Sequence, residues 1–165
     1  MSEMEKVEAT LRDMHIQYDI VHHPAALTTE DADRYIEGKD GIRSKTLFMS
    51  GKKDRAHYLI IMDESKRINI QQMNEITGDK LHFGKEENLY AKMRLAPGVV
   101  SLFGLLNNAE HDIVVYIDRA VLNEKIITFH PNENTATVFI SVDDMFTFLK
   151  NIHHPYTVID LKEPN

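Results

Sequence analysis

Residues 45–63 read KTLFMSGKKDRAHYLIIMD. Two apolar runs rich in residues that suit a pleated surface flank the polar segment GKKDR. A short polar insert containing Gly between two such runs signals a β-hairpin. The first run, headed by Lys45, reads as a central strand. Working outward, Val7, Leu11 and Met14 recur at i, i+4, i+7 and predict an amphipathic helix over residues 4–15. YDIVHH then reads as a strand that stops at His23-Pro24. TTEDADRYI opens with Thr and acidic residues, a helix start, and Gly38 is a plausible stop. IQQMNEITG and EENLYAKMR read as two further helices.

Towards the C-terminus, LAPGVVSLFGLLNN has two glycines, a proline and no clean period, which predicts a loop with a short strand. DIVVYID, KIITFH and TATVFIS read as three successive strands. DDMFTFLKNI reads as a helix, with acidic residues in its first turn and Lys150 in its last, as the helix dipole favours. PYTVIDL closes as a strand. Strands outnumber helices, and no linker, repeat or low-complexity stretch separates them. The expected class is α+β: a mixed, strongly curled sheet approaching a barrel, surrounded by helices, in one domain spanning 1–165.

The bulk numbers restrict the function classes. The chain has 165 residues and no cysteine, which excludes disulfides, thiolate nucleophiles and Cys-ligated zinc. No apolar run approaches the length of a membrane span, and the charged N-terminus lacks the apolar core of a signal peptide. A cytoplasmic protein without a membrane partner is expected. Net charge is −7, which opposes a general nucleic-acid surface. Residues 39–55, however, hold six Lys/Arg against two Asp/Glu. That segment is either a solvated loop and hairpin or a small phosphate-facing patch.

Three features carry candidate chemistry. Lys45 at a strand end is either solvated or, facing a cleft, a point cation for a phosphate or a polarised carbonyl. Gly98 and Gly104 permit backbone conformations and close approaches that other residues forbid, and NH groups beside such glycines can bind an oxyanion. Neither GxGxxG nor GK[ST] occurs. His130 ends a strand and enters the polar turn HPNENT, where a turn needs Asn and Pro but not His. Its plain reading is a histidine bonded to nearby backbone. The adjacent pairs His22-His23 and His153-His154 point to opposite faces if extended, and no HExxH spacing exists. No metal site is expected.

SKTLFM near residue 45, APGVVSLFGLLNN near 100 and FHPNENTATVFIS near 130, in this order, resemble the motifs of the YbaK/ProX superfamily. Within it they are most similar to the freestanding prolyl-tRNA editing proteins, and the resemblance covers nearly the whole chain. It implies a trans-acting hydrolase that cleaves the ester of mischarged tRNA(Pro), typically with alanine attached, and needs no metal or cofactor. It implies as partners the acceptor end of tRNA(Pro) and, by analogy, prolyl-tRNA synthetase; DNA is not among them. By the same resemblance Lys45 anchors the 3′-terminal nucleotide, the Gly98 backbone polarises the aminoacyl carbonyl, and His130 lies beside the aminoacyl pocket. Arg43, Thr46, Ser101, Phe103, Gly104, Asn107, Asn134 and Thr135 complete the implied substrate-binding set. Leu102 stands where the family commonly has proline. The positive segment would offer Arg43, Lys52, Lys53 and Arg55 to the tRNA. Three alternatives stay open: a deacylase for cysteinyl-tRNA(Pro) or another small aminoacyl group, a non-catalytic tRNA- or synthetase-binding module, and a metal-dependent hydrolase using the histidine pairs.

Overall fold

The computed structural model describes residues 1–165. The 45–63 stretch folds as read, with β2 (Ser44–Ser50) and β3 (His57–Asp63) pairing antiparallel around a 3-10 turn at Lys52–Asp54. The remaining elements are α1 (Glu3–Asp13), β1 (Tyr18–His22), α2 (Thr29–Tyr35), α3 (Ile70–Thr77), β4 (His82–Phe83), α4 (Glu86–Met93), β5 (Ile113–Asp118), β6 (Ile126–Phe129), β7 (Ala136–Ser141), α5 (Val142–Asn151) and β8 (Tyr156–Ile159). Helix starts follow capping chemistry. Ser2 and Glu5 close a capping box on α1, and Thr28, Asn69 and Ser141 accept from the first turns of α2, α3 and α5. Gly78 ends α3 in the left-handed conformation.

The strands form two sheets that do not close into a barrel. The larger is mixed, in the order β4-β2-β3-β5-β8, with β3, β5 and β8 parallel. The smaller is antiparallel, in the order β1-β7-β6. β3 is central and buried on both faces. Leu59 and Ile61 join the main core with Phe103, Phe129 and Phe148, while Tyr58, Ile60 and Met62 meet Met49, Met73 and Leu81 in a second cluster. Strand alternation sets that division.

The sheets share the main core, and backbone hydrogen bonds join them at one strap. Ile42 N–H donates to Ile126 O at 2.8 Å, Thr128 N–H donates to Ile42 O at 3.1 Å, and the Ser44 hydroxyl donates to Thr128 O. After Ser44 the two sheets diverge. At the far end of β2, β4 pairs only with Met49 and Ser50, and Gly84 N–H donates to Phe48 O at 2.9 Å. The outer edge of β2 between these contacts has no strand neighbour, and a cleft opens along it.

The stretch GVVSLFGLL holds no strand. After a turn at Ala96–Val99 it forms a 3-10 helix, Leu102–Asn107, with Ser101 accepting from Phe103 N–H at 3.2 Å. Leu102, Phe103, Gly104 and Leu105 are all buried, so no amphipathic period exists to mark the element.

Candidate active site

The cleft has a volume of ≈ 410 Å³, within the ordinary range of small-molecule sites, about 300–1,000 Å³. Its walls come from separate parts of the chain. Ser44–Phe48 of β2 form one side, and Thr128–His130 with Thr137 form the facing side. α2 supplies Thr29, Ala32, Asp33 and Ile36, the 97–100 turn supplies Pro97, Gly98 and Val100, and Phe83 and Gly84 stand next to Phe48. Divergence of the sheets beyond the Ile42–Thr128 strap thus brings Lys45, Gly98 and His130 to one cavity.

Lys45 heads the free edge of β2. Lys66, Lys85 and Lys92 each bind a carboxylate, whereas Lys45 forms no ion pair. Gly98 has φ +89°, a region that disfavours side chains, and the space where its Cβ would stand is open.

His130 is placed by a turn clamped from two sides. His23 N–H donates to Thr135 O at 2.9 Å, Ala26 N–H to Asn134 O at 3.0 Å, and the Asn134 side-chain amide to Ala26 O at 3.1 Å. On the other flank, Met4 N–H donates to the Glu133 carboxylate at 2.9 Å. The His130 ring sends Nδ1 to Ala136 O at 3.1 Å. A carbonyl only accepts, so Nδ1 carries the proton and Nε2 keeps its lone pair, with no partner in the protein. Burial holds this histidine below its usual pKa, outweighing the Ala136 carbonyl, which favours the charged form. It is therefore neutral at pH 7, with a bare acceptor nitrogen on the cleft wall. Nearby, His23 Nδ1 bonds Pro24 O at 2.9 Å, so its Nε2 accepts from the Thr137 hydroxyl at 3.1 Å.

Of the other residues singled out in the sequence, Thr46 is on the wall and the rest lie elsewhere. The Arg43 guanidinium is occupied by three carbonyls, of Gly41, Ile36 and Lys39, at 2.7–3.0 Å, and lies over the Phe139 ring. It holds the α2–β2 connection rather than facing the cleft. Ser101, Phe103 and Gly104 are buried behind the 97–100 turn. A Cβ on Gly104 would come within 2.6 Å of both Leu95 and Met93 side chains. Asn107 bonds Glu3 at 2.6 Å, Met93 O at 3.0 Å and the Lys6 ammonium, tying α1 to the end of α4. Asn134 and Thr135 act on the turn as described. No three His, Cys, Asp or Glu side chains converge in a way that could hold a metal ion.

Several cleft residues had no signal in the sequence. Glu64 and Asp33 both reach the wall. The Glu64 pKa is pushed up to about 8, by burial first and then by the hydrogen bond and charge of Asp33, with Arg43 opposing. Glu64 thus holds a proton at neutral pH. Phe83, on the two-residue strand β4, stands 57% exposed at the rim.

The aminoacyl-tRNA editing domain model matches residues 23–148, which include every wall of this cleft. The chain belongs to the aminoacyl-tRNA editing domain family. Among its relatives is the prolyl-tRNA editing protein ProX of Acetoanaerobium sticklandii, 31% identical over 98% of this chain and 99% of that one. The prolyl-tRNA synthetase associated domain-containing protein 1 of Bos taurus is 28% identical over 93% of this chain and 92% of its own. A solved structure described as that of a candidate trans-editing enzyme for prolyl tRNA synthetase superposes with TM-score 0.78 at 20% identity, over 99% of both chains, and shows the same fold. No helix of this editing domain is long and apolar enough to cross a membrane.

Proposed function

We propose that this editing domain is a trans-acting, metal-independent deacylase that hydrolyses the ester of mischarged tRNA(Pro), with alanyl-tRNA(Pro) its main substrate, in the cytoplasm. The observation that carries the reading is the meeting of Lys45, Gly98 and His130, from three distant segments, on one cleft. Full-length similarity to a prolyl-tRNA editing protein supplies the tRNA.

The chemistry asks little of the protein, because an aminoacyl ester is already activated. Lys45, free of any carboxylate, binds the 3′-terminal phosphate or ribose and fixes the ester in the cleft. The backbone at Gly98 faces the carbonyl and stabilises the oxyanion that forms when water adds. His130 Nε2, neutral and unpartnered, accepts a hydrogen bond from the water or from the terminal ribose hydroxyl and so orients the attack. The tetrahedral intermediate then expels the ribose oxygen, releasing alanine and tRNA. Discrimination is by size. A synthetase pocket that admits proline cannot strongly reject alanine, since a methylene is worth only about 1–3 kcal/mol. A second cavity that fits alanine excludes the larger ring. The acceptor end approaches along the hairpin tip with Lys52, Lys53 and Arg55, and this electrostatic binding weakens with salt.

The test is hydrolysis of alanyl-, cysteinyl- and prolyl-tRNA(Pro) by the purified protein, with and without a chelator. Alanyl ester should be cleaved fastest, prolyl ester spared, and the rates should survive chelation. Faster cleavage of the cysteinyl ester would move the substrate assignment. Loss of activity on chelation would overturn metal independence.

A further inference from the structure

The free edge of β2 carries a second, backbone-borne element of recognition. In an antiparallel ladder, successive residues present their N–H and C=O alternately to one neighbour and then the other. Here the phase is set at both ends of the strand. Ile42 exchanges hydrogen bonds with β6, and Ser44 N–H points the same way, to Thr128 Oγ1 at 3.5 Å. Phe48 O also points outward, accepting from Gly84 N–H at 2.9 Å. On the opposite side, Arg43 O accepts from Glu64 N–H at 2.9 Å, towards β3. Even-numbered residues therefore face outward. β6 serves Ile42 and Ser44, and the β4 segment serves Phe48. Thr46 falls in the gap, with its N–H and C=O directed into the cleft that it lines.

Backbone groups are otherwise paired almost everywhere in a folded protein. An open donor–acceptor pair in the wall of a cavity matches a ligand that carries the complement. An α-aminoacyl ester does so: an ammonium donor and a carbonyl acceptor on adjacent carbons, as in one residue of a β-strand. We infer that the aminoacyl group docks on β2 as a one-residue strand, its ammonium donating to Thr46 C=O and its ester carbonyl accepting from Thr46 N–H. This rests on the deacylase reading above and adds to it the group that positions the amino acid.

Thr46→Pro tests the donor. It removes one N–H that β3 does not use, at an edge position where proline is tolerated, and the preceding Lys45 is already extended, as proline requires. Thr46→Val keeps the N–H and is the comparator. On alanyl-tRNA(Pro), kcat/KM of Thr46→Pro should fall below that of Thr46→Val by about tenfold to a hundredfold, the range of one hydrogen bond to a charged group. Equal values in two folded variants overturn the donor role. The acceptor is tested on the wild-type protein with propionyl-tRNA(Pro), in which a hydrogen replaces the ammonium and no donor remains, each rate divided by its spontaneous hydrolysis. A normalised rate at least about tenfold below that of the alanyl ester is expected, and equal rates overturn the acceptor role. If Thr46→Pro does not fold, the propionyl comparison decides alone. If the wild-type protein cleaves no aminoacyl-tRNA, the deacylase reading has failed and this inference fails with it; cleavage with normal Thr46→Pro and propionyl results sinks only the inference.

Discussion

Phe103 belongs to the motif whose resemblance implies substrate binding, yet its ring is 0% exposed and packs edge-on against Phe129 at 5.7 Å and Phe148 at 5.3 Å. The consequence is measurable with Phe103→Leu, which keeps an apolar side chain and removes both aromatic contacts. Each edge-to-face pair contributes about 0.5–1.5 kcal/mol beyond the area buried, so the loss should total about 1–3 kcal/mol. For a chain of this length about 2 kcal/mol corresponds to roughly 4–8 °C in Tm. Urea unfolding followed by circular dichroism gives the stability change, and alanyl-tRNA(Pro) hydrolysis well below the new Tm gives KM and kcat. The ring supports the turn from behind, so stability should fall as stated while KM stays within about threefold, because no substrate-binding energy is removed. Unchanged stability with a tenfold or greater rise in KM would refute the reasoning and put the ring in contact with substrate.

Three further outcomes follow from the same structure. Burial lowers the pKa of His57, His130 and His154. Below the unfolded value of about 6.5 the unfolded chain binds more protons, so stability should fall as pH drops, by at most about 1.4 kcal/mol per pH unit per proton; His154→Gln should flatten the slope in urea titrations at pH 5–7. Glu64 runs the other way. Its folded pKa of about 8 exceeds its ordinary 4.5, so its contribution is lost as pH rises across that window, and Glu64→Gln should be more stable than wild type at pH 9 by about 1–2 kcal/mol after allowance for its solvent contact. In Gly84→Ala the new Cβ would lie 2.2 Å from the Phe48 ring and 3.2 Å from its carbonyl oxygen; ring and strand β4 must separate, lowering stability by about 1–3 kcal/mol and disturbing the cleft rim, which thermal melts and deacylation rates will register together.

The 45–63 hairpin was legible because two β-prone runs bracket a polar turn, and the capped helices were legible from Ser, Thr and Asn at their starts. β4 was not, because two residues carry no period. The stretch LAPGVVSLFGLLNN reads as a loop with a short strand, whereas it holds the 3-10 helix Leu102–Asn107, because Leu102–Leu105 are buried on every side and leave no period to mark the element. The division into two sheets follows from long-range register, which no local pattern contains. At the site, Lys45, Gly98 and His130 stood out through chain context: a cation at a strand head, a glycine in an aperiodic loop, a histidine in a turn that did not need one. Arg43 read as a free cation because the three carbonyls that hold it lie on backbone, which has no sequence signature. Glu64 was one acid among many until the fold brought Asp33 against it. The open backbone of Thr46 is a property of two strands that stop short, and no side chain reports it.

The most direct measurement is single-turnover hydrolysis of alanyl-tRNA(Pro) by wild type and Lys45→Ala, with prolyl-tRNA(Pro) alongside. The account predicts release of alanine by wild type, proline left in place, and, at subsaturating concentrations, a Lys45→Ala rate about tenfold to a hundredfold lower, the effect of removing one charged contact that fixes the ester in the cleft. Equal alanine release by wild type and Lys45→Ala, or no release by either above the spontaneous rate, would contradict it.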